Sequence, residues 1–193
     1  MKHAAAPDRE LWQRLPMADE AAFSELFHRH SNAVYNHAFH RLADWSAAED
    51  ATQKVFTQLW QRCQRGRVDR LRNDSARGIL LVMTRNVCSN EIRTWQRQRN
   101  LVDRVGDHST LTGDNTSRWV ESENTMRIIN ESLATLPKGQ RDVIAMVCWD
   151  ELSIAETADA LKLSEGSVRS RLSRARSRLA DTPAAELLAG GDR

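Results

Sequence analysis

The feature that most constrains the fold is a pair of short helical segments, "LSIAETADAL" and "SEGSVRSRLSRARSRL", joined by "KLS". The run Ser153–Glu156 fits a capping box, in which the serine oxygen and the glutamate each satisfy a backbone N–H at the start of a helix. Ser164 can cap the second segment. Two helices joined by so short a turn form the pattern of a helix-turn-helix motif.

The second of these segments carries five arginines and one acidic residue between residues 164 and 180, although the whole chain has a formal net charge of +2. Its apolar residues Val168, Leu172, Ala175 and Leu179 fall within about 40° on a helical wheel. Arginine can pair with a guanine edge or with a phosphate, so this segment is predicted to enter a DNA major groove. The alternative is a solvated or protein-binding basic helix. The side chains expected to contact duplex DNA are Ser167, Arg169, Ser170, Arg171, Ser173, Arg174 and Arg176.

The amino-terminal half also has helical periodicity and an uneven charge distribution. Residues 18–51 are acidic, whereas residues 62–104 hold 11 arginines against four carboxylates. Asp19 can cap a first helix, "SAAE" at Ser46–Glu49 fits a capping box for a second, and a third can start between Asn73 and Ser75. Two separate basic segments indicate a polyanion contacted in two places.

We therefore predict an all-α protein of two small helical domains joined by a flexible linker. Residues 1–18 are an amino-terminal extension, and residues 19–100 form the first domain. Residues 101–122 lack steady periodicity and are rich in Gly, Asp, Ser, Thr and Asn, which is typical of a linker. Residues 123–180 form the second domain, and residues 181–193 are a tail.

Several function classes are disfavoured by what the sequence lacks. No apolar run approaches the ~18–20 residues that span a bilayer, and no signal peptide is evident, so we expect a cytoplasmic protein without membrane insertion. The three cysteines are far apart and form no CxxC, and the histidines at positions 28, 30, 37 and 40 match no strong metal signature. No nucleophile–base pair or phosphate loop supports catalysis. We expect no enzyme activity, cofactor or metal.

Three motifs, in order, resemble a bacterial sigma factor of the extracytoplasmic-function (ECF) type, within the sigma-70 family. They are "AEDATQKVFTQLW" (48–60), "TRNVCSNEIRTWQRQR" (84–99) and "LPKGQRDVIAMVCWDELSIAETADALKLSEGSVRSRLSRARSRL" (136–179). The resemblance implies an alternative sigma factor, with sigma region 2 in residues 19–100 and region 4 in residues 123–180. Such a protein binds the clamp helices in the largest subunit of core RNA polymerase. It melts the minus-ten promoter element, reads the minus-35 element, and in many relatives is held inactive by an anti-sigma factor.

The resemblance also assigns residues in the first domain. The polymerase-binding residues it implies are Asp50, Gln53, Val55, Phe56 and Trp60. The residues it implies near the non-template single strand of the minus-ten element are Arg85, Asn86, Asn90, Arg93, Trp95 and Arg97. The loop "GRVDRLRND" would help to form a pocket for a flipped base. Two alternatives stay open: Val55, Phe56 and Trp60 are plain core residues, and Trp95 is a boundary anchor.

Four positions depart from the pattern of the family. Lys54 stands where an acid is common, so either it faces solvent or the polymerase contact is weakened. Ile79 stands where many members carry an aromatic residue that supports the base pocket. Lys162 and Glu151 occupy positions where glycine is frequent, and a positive φ at Lys162 would cost about 1 kcal/mol.

Two rival functions remain at the level of sequence. A free-standing helix-turn-helix regulator would bind duplex DNA without polymerase and would not need Asn86 or Asn90. A helical protein-interaction module would tolerate the loss of Arg169 and Arg174.

Overall fold

The computed structural model describes residues 6–71, 73–105, 117–180 and 182, with the side chains of 100–105 and 117–121 left aside. These residues contain no strand, and their helices confirm the all-α prediction. The helices are α1 (Asp8–Arg14), α2 (Glu20–Leu42), α3 (Trp45–Gln64), α4 (Arg77–Val105), α5 (Ser117–Ala134), α6 (Lys138–Ile144), α7 (Ile154–Leu161) and α8 (Glu165–Leu179). A 3₁₀ turn spans Leu15–Met17 and a π-helical turn spans Ala145–Trp149.

Helices α1 to α4 form an amino-terminal bundle around one core. Leu26 and Val34 of α2, Val55 and Leu59 of α3, and Leu80 of α4 are among its buried side chains. Helix α1, which lies in the segment predicted to be an extension, is part of this core through its own buried Leu11 and Trp12.

The caps of the amino-terminal bundle follow the sequence in one case and not in the other. Asp19 caps α2 by accepting a hydrogen bond from the backbone N–H of Ala22, as predicted. The predicted capping box at Ser46–Glu49 is wrong, because α3 begins at Trp45 and its cap is Asp44, which accepts from the N–H of Ala47. Trp45 stacks on Phe39, with ring centroids 3.7 Å apart, and this contact places it in the first turn of α3.

Helices α5 to α8 form a carboxyl-terminal bundle. The apolar stripe of α8 is buried at all four predicted positions and packs against α6 and α5. The capping box of α7 is present, and Ser164 caps α8 by accepting from the N–H of Ser167. Lys162 has the positive φ that the sequence analysis considered, at 56°, and Glu151, the other position where glycine is frequent, also has a positive φ, at 52°.

The segment predicted to be a linker is helical at both of its ends. Helix α4 extends beyond residue 100 to Val105, and α5 begins at Ser117. Residues 106–116 and the predicted tail, apart from Thr182, lie outside the described residues. In the part of the chain that is described, no helix combines the length and the apolar character needed to cross a membrane.

The two bundles pack against each other. Leu81 of α4 is buried with Met146 and Leu152 in a small apolar cluster shared by both bundles. At Gly78 of α4, an added Cβ would lie 3.3 Å from the Cβ of Ala160 in α7, so the two helices approach closely there. This contact places the turn between α7 and α8 against the amino-terminal half of α4.

Candidate nucleic-acid interface

The exposed surface of α8 carries the predicted duplex-binding side chains in two groups. Arg169, Ser170, Ser173 and Arg174 are exposed. Arg169 pairs with Glu165 one turn earlier, at 2.9 Å, in a solvent-exposed contact that is easily exchanged for another anion. Among the described residues, Arg174 forms no salt bridge with a carboxylate.

The other three predicted side chains of α8 are half-buried. Ser167 Oγ lies 2.9 Å from the oxygen of the cap residue Ser164. Arg171 lies over Gly139 of α6, where a Cβ would come within 2.8 Å of its guanidinium. Arg176 is half-buried as well. The structure thus gives Arg171 and Arg176 packing surfaces within the bundle, whereas Arg169 and Arg174 present their guanidinium groups outward.

The basic face of α4 brings together most, but not all, of the predicted single-strand contacts. Asn86 and Asn90 are exposed one helical turn apart, and their side-chain oxygens accept from Arg85 and Arg93, at 3.1 and 3.5 Å. Arg97 is exposed two turns beyond Asn90, near the same face.

Trp95 does not belong to this face. It is nine residues from Asn86, which places it about 180° around the helix. There it lines a separate groove of about 240 Å³ with Asp44, Asp50, Lys54 and Glu91. The structure therefore does not bring Trp95 together with the asparagines, and a stacking role beside them has no geometric basis.

A groove of about 440 Å³ opens beside Asn86. One wall is the loop before α4, which contributes Asp69, Arg70 and Asn73, and the floor includes Ile79 and Met83 of α4. The opposite wall comes from the carboxyl-terminal bundle, through Asp159, Ala160 and Lys162. The groove therefore combines amide, guanidinium and apolar groups suited to holding a planar base, and the helix-turn-helix turn lies across its other side.

Arg85 is tied to the carboxyl-terminal bundle. Its Nη1 lies 3.4 Å from a carboxylate oxygen of Asp142 in α6, while Arg41 of α2 reaches the other oxygen at 3.2 Å. Asp142 is only 4% exposed. In this arrangement Arg85, which was predicted to contact the single strand, is therefore engaged in an ion pair between the two bundles.

A second polar contact joins the bundles through His37 and Asp150. Their Nδ1 and Oδ2 atoms lie 2.6 Å apart, and both side chains are buried. His40 lies beside them and packs on Trp149, with ring centroids 4.9 Å apart. Burial lowers the pKa of His40, although the charge of Asp150 opposes this shift. The sequence did not single out Asp142 or Asp150, because no local pattern links them to residues more than 50 positions away.

The predicted polymerase-binding residues on α3 are also divided by burial. Asp50 and Gln53 are exposed, whereas Val55 and Phe56 are buried, and the Phe56 ring packs at 4.7 Å on that of Phe27. Trp60 is half-buried against Phe23. For Val55 and Phe56 the structure favours the alternative of plain core residues.

Lys54 faces solvent, which is the first of the two outcomes that the sequence allowed. Its Nζ lies 2.6 Å from Glu91 in a half-exposed ion pair, so its charge is partly compensated within the bundle. The pKa of Lys54 is raised, mainly by its hydrogen bond with Glu91.

Comparison with known proteins matches both bundles to one family. The family model for sigma-70 region 2 matches residues 26–98, and the model for sigma-70 region 4 matches residues 126–179. The ECF RNA polymerase sigma factor SigL of Mycobacterium tuberculosis is 30% identical over 158 residues, covering 80% of this chain and 85% of that protein. SigM of the same organism is 29% identical over 182 residues, covering 90% and 83%.

Two solved structures share the fold. CnrH, in complex with the cytosolic domain of CnrY, superposes with a TM-score of 0.64 at 22% identity, covering 90% of this chain and 94% of CnrH. The sigma factor RpoE of Bartonella quintana, in complex with the anti-sigma factor NepR, gives a TM-score of 0.55 at 22% identity, covering 89% and 98%.

Proposed function

This chain belongs to the sigma-70 family as an ECF-type alternative sigma factor that directs transcription, and from that premise we propose how its two bundles divide the work. The carboxyl-terminal bundle reads the minus-35 element as duplex DNA through α8. The amino-terminal bundle binds core RNA polymerase and holds the non-template strand of the melted minus-ten element through α4 and the loop before it. The protein acts in the cytoplasm, where core polymerase works.

The observation that carries this division is the presence of two donor-rich surfaces of different shape, one on each bundle. Helix α8 is a convex rod with outward guanidinium groups at Arg169 and Arg174, which suits a major groove. The amino-terminal side of the groove beside Asn86, formed by α4 and the loop before it, stays in place when the bundles separate, and it offers amide, guanidinium and apolar groups to one unstacked base. An amide both donates and accepts, so Asn86 can read a base edge that is exposed only after the strands separate.

Polymerase binding is assigned to the exposed part of α3. Asp50 and Gln53 offer a carboxylate and an amide that can pair with arginines on the clamp helices. The apolar residues next to them stiffen this surface from within the bundle. Lys54 remains exposed on the same helix and keeps its partner Glu91.

Use of both promoter elements at once requires the bundles to separate. The two elements are centred about 25 base pairs apart, which at 3.4 Å per pair is about 85 Å of duplex. A compact body of about 160 residues is only about 40 Å across. The packed arrangement is therefore the resting form, and it also occupies Arg85 through Asp142.

A protein partner of the anti-sigma class fits this resting form. RpoE of Bartonella quintana was solved with its anti-sigma factor NepR, and its fold is shared by this chain. A partner that binds across both bundles would hold them packed together. Helix α7 would then continue to cover one side of the groove on α4.

The proposal is tested by run-off transcription with purified core RNA polymerase, this protein and fragmented genomic DNA, followed by sequencing of the transcripts. We expect new start sites that share two upstream elements. Binding to core without new starts would contradict the assignment of the DNA-reading surfaces. Tight binding to duplex promoter fragments without polymerase would favour the free-standing regulator instead.

A further inference from the structure

We propose that α1 is a clamp that positions the loop before α4, at its described residues 66–71 and 73–76, and that Trp12 and Asp8 are positioning residues for capture of the unpaired base. This inference rests on the proposed function of the groove beside Asn86. Helix α1 lies before residue 26, where the match to sigma-70 region 2 begins, so the match assigns no role to it.

Trp12 holds the first part of the loop. Its indole N–H donates to the backbone carbonyl of Asp69 at 2.7 Å, and its side chain is only 4% exposed. Val68 and Leu71, on either side of this carbonyl, pack partly buried against the core to which Trp12 belongs. A side chain that is fixed in a core and bonded to a loop carbonyl transfers the rigidity of the core to that loop.

Asp8 holds the end of the loop, where α4 begins. Its Oδ2 accepts from the backbone N–H of Ala76 at 2.8 Å and lies 2.7 Å from Nε2 of His30. Its other oxygen accepts from Arg29 at 2.6 Å. Burial by itself raises the pKa of this carboxyl, but the hydrogen bonds and charges of its partners outweigh burial and lower it to about 2. The carboxylate is therefore charged whenever the protein is folded near neutral pH.

The groups that line the groove lie between these two anchors. Arg70 and Asn73 follow the Asp69 carbonyl and precede Ala76, and both face the groove. A salt bridge also joins α1 to this stretch, between Arg9 and Asp74 at 3.1 Å, but it is largely exposed and adds little. The positions of Arg70 and Asn73 thus depend on the contacts of Trp12 and Asp8.

Preorganisation is the physical reason for such a clamp. Flipping a base costs a few kcal/mol of stacking, and a wall that must first become ordered would add its own entropic cost. A loop already fixed by α1 removes that second cost. Loosening the loop should therefore weaken base capture without changing how α3 meets polymerase.

The test is Trp12→Phe, which keeps an aromatic ring in the core but removes the indole donor. Holoenzyme is mixed with fork-junction DNA that carries 2-aminopurine at successive non-template minus-ten positions of a promoter mapped by run-off sequencing. Fluorescence rises at the position where the base is unstacked and captured. In Trp12→Phe we expect the apparent equilibrium constant for base capture, as measured by this fluorescence rise, to be about three- to tenfold lower, which is the range for one hydrogen bond. Arg14→Gln, on the same helix but bonded to Asp19 rather than to the loop, is the matched control.

Failure of the α1 clamp and failure of base capture give different results. If the unmutated protein gives no rise at any position, base capture itself is wrong. If it gives a rise and Trp12→Phe gives an equal one, the clamp is refuted. The clamp would also be refuted if Trp12→Phe weakened binding to core polymerase by the same factor as it weakened base capture. A bundle that is merely destabilised would lose both functions together.

Hydrogen–deuterium exchange of the free chain provides a measurement that does not require transcription. Trp12→Phe should increase exchange in residues 67–71 more than in α2 or α3. Should Trp12→Phe fail to fold, Asp8→Ala addresses the other anchor, and we expect faster exchange at Ala76 and the residues before it. Unchanged exchange of the loop in a folded variant overturns the proposal.

Discussion

The contact of Asp142 with Arg41 and Arg85 makes a sharp prediction about how the bundles stay packed. Replacement of Asp142 by Ala removes a carboxylate that is 4% exposed and leaves two guanidinium groups facing each other. At an effective dielectric constant near 20, each attraction at 3.2–3.4 Å is about 5 kcal/mol before desolvation is subtracted. Breaking a buried pair costs about 3–5 kcal/mol, and these distances are long for such pairs, so we take about 3 kcal/mol.

That cost falls on the packed form, because Arg41 and Arg85 become hydrated when the bundles separate. A change of about 3 kcal/mol lowers the ratio of packed to separated molecules about 100-fold. Small-angle X-ray scattering of the free protein should then give a larger radius of gyration for Asp142→Ala than for the unmutated chain. The matched control is Glu91→Gln, which also removes one negative charge and one ion pair, but within the amino-terminal bundle.

A folded Asp142→Ala variant whose scattering curve is the same as that of the unmutated protein would show that this ion pair does not hold the bundles together. An equal expansion in Glu91→Gln would also contradict this role, because the effect would then come from net charge. If the expansion occurs, Arg85 is released, and holoenzyme formation should become faster as the separated form becomes more abundant.

Three further predictions concern acid stability, thiol reactivity and promoter contacts. The pKa of Asp8 falls from 3.8 to about 2 on folding, so its ionised carboxylate contributes about 2 kcal/mol to the free energy of unfolding above pH 4, and this contribution is lost as the pH falls towards 2. The stability of Asp8→Asn should therefore depend less on pH in acid. An unchanged dependence of stability on pH would contradict this. Burial raises the pKa of Cys88 to about 12, whereas Cys148 is half-buried, so iodoacetamide at pH 7 should modify Cys148 first in the native protein, as read by mass spectrometry. Replacement of both Arg169 and Arg174 by Ala should weaken holoenzyme binding to duplex promoter DNA by about tenfold per arginine, as measured by fluorescence anisotropy, and should leave the affinity for core polymerase unchanged. An equal loss of core binding would show that α8 does not bind DNA independently of the polymerase contact.

Much of this fold was predictable because its signals are local. The stripe of α8, the capping box of α7 and the Ser164 cap each depend on residues within a few positions, and all three are confirmed. The start of α3 was mistaken because Asp44 and Ser46 are both good caps. Stacking of Trp45 on Phe39 settled the choice, and that contact joins two different helices.

In the candidate site, too, local sequence predicts some features, and contacts between helices decide the others. The helical wheel of α4 placed Asn86 and Asn90 on one face, and the structure keeps them exposed there. The same wheel places Trp95 on the opposite side, but only the position of α3 shows that it faces Asp50 and Lys54. Whether Phe56 contacts a partner or the core likewise depends on α2, since its ring packs on Phe27.

The sequence by itself determined the helices, most of their caps and the residues of the two basic surfaces, because backbone hydrogen bonding and side-chain periodicity act within a few residues. Tertiary structure decided that Trp12 bonds to Asp69, 57 residues away, and that His37 pairs with Asp150 across 113 residues. Contacts of this kind arise only when packed helices bring two distant positions together. Neither residue of such a pair carries a local pattern that identifies its partner, so these contacts become visible only in the folded chain.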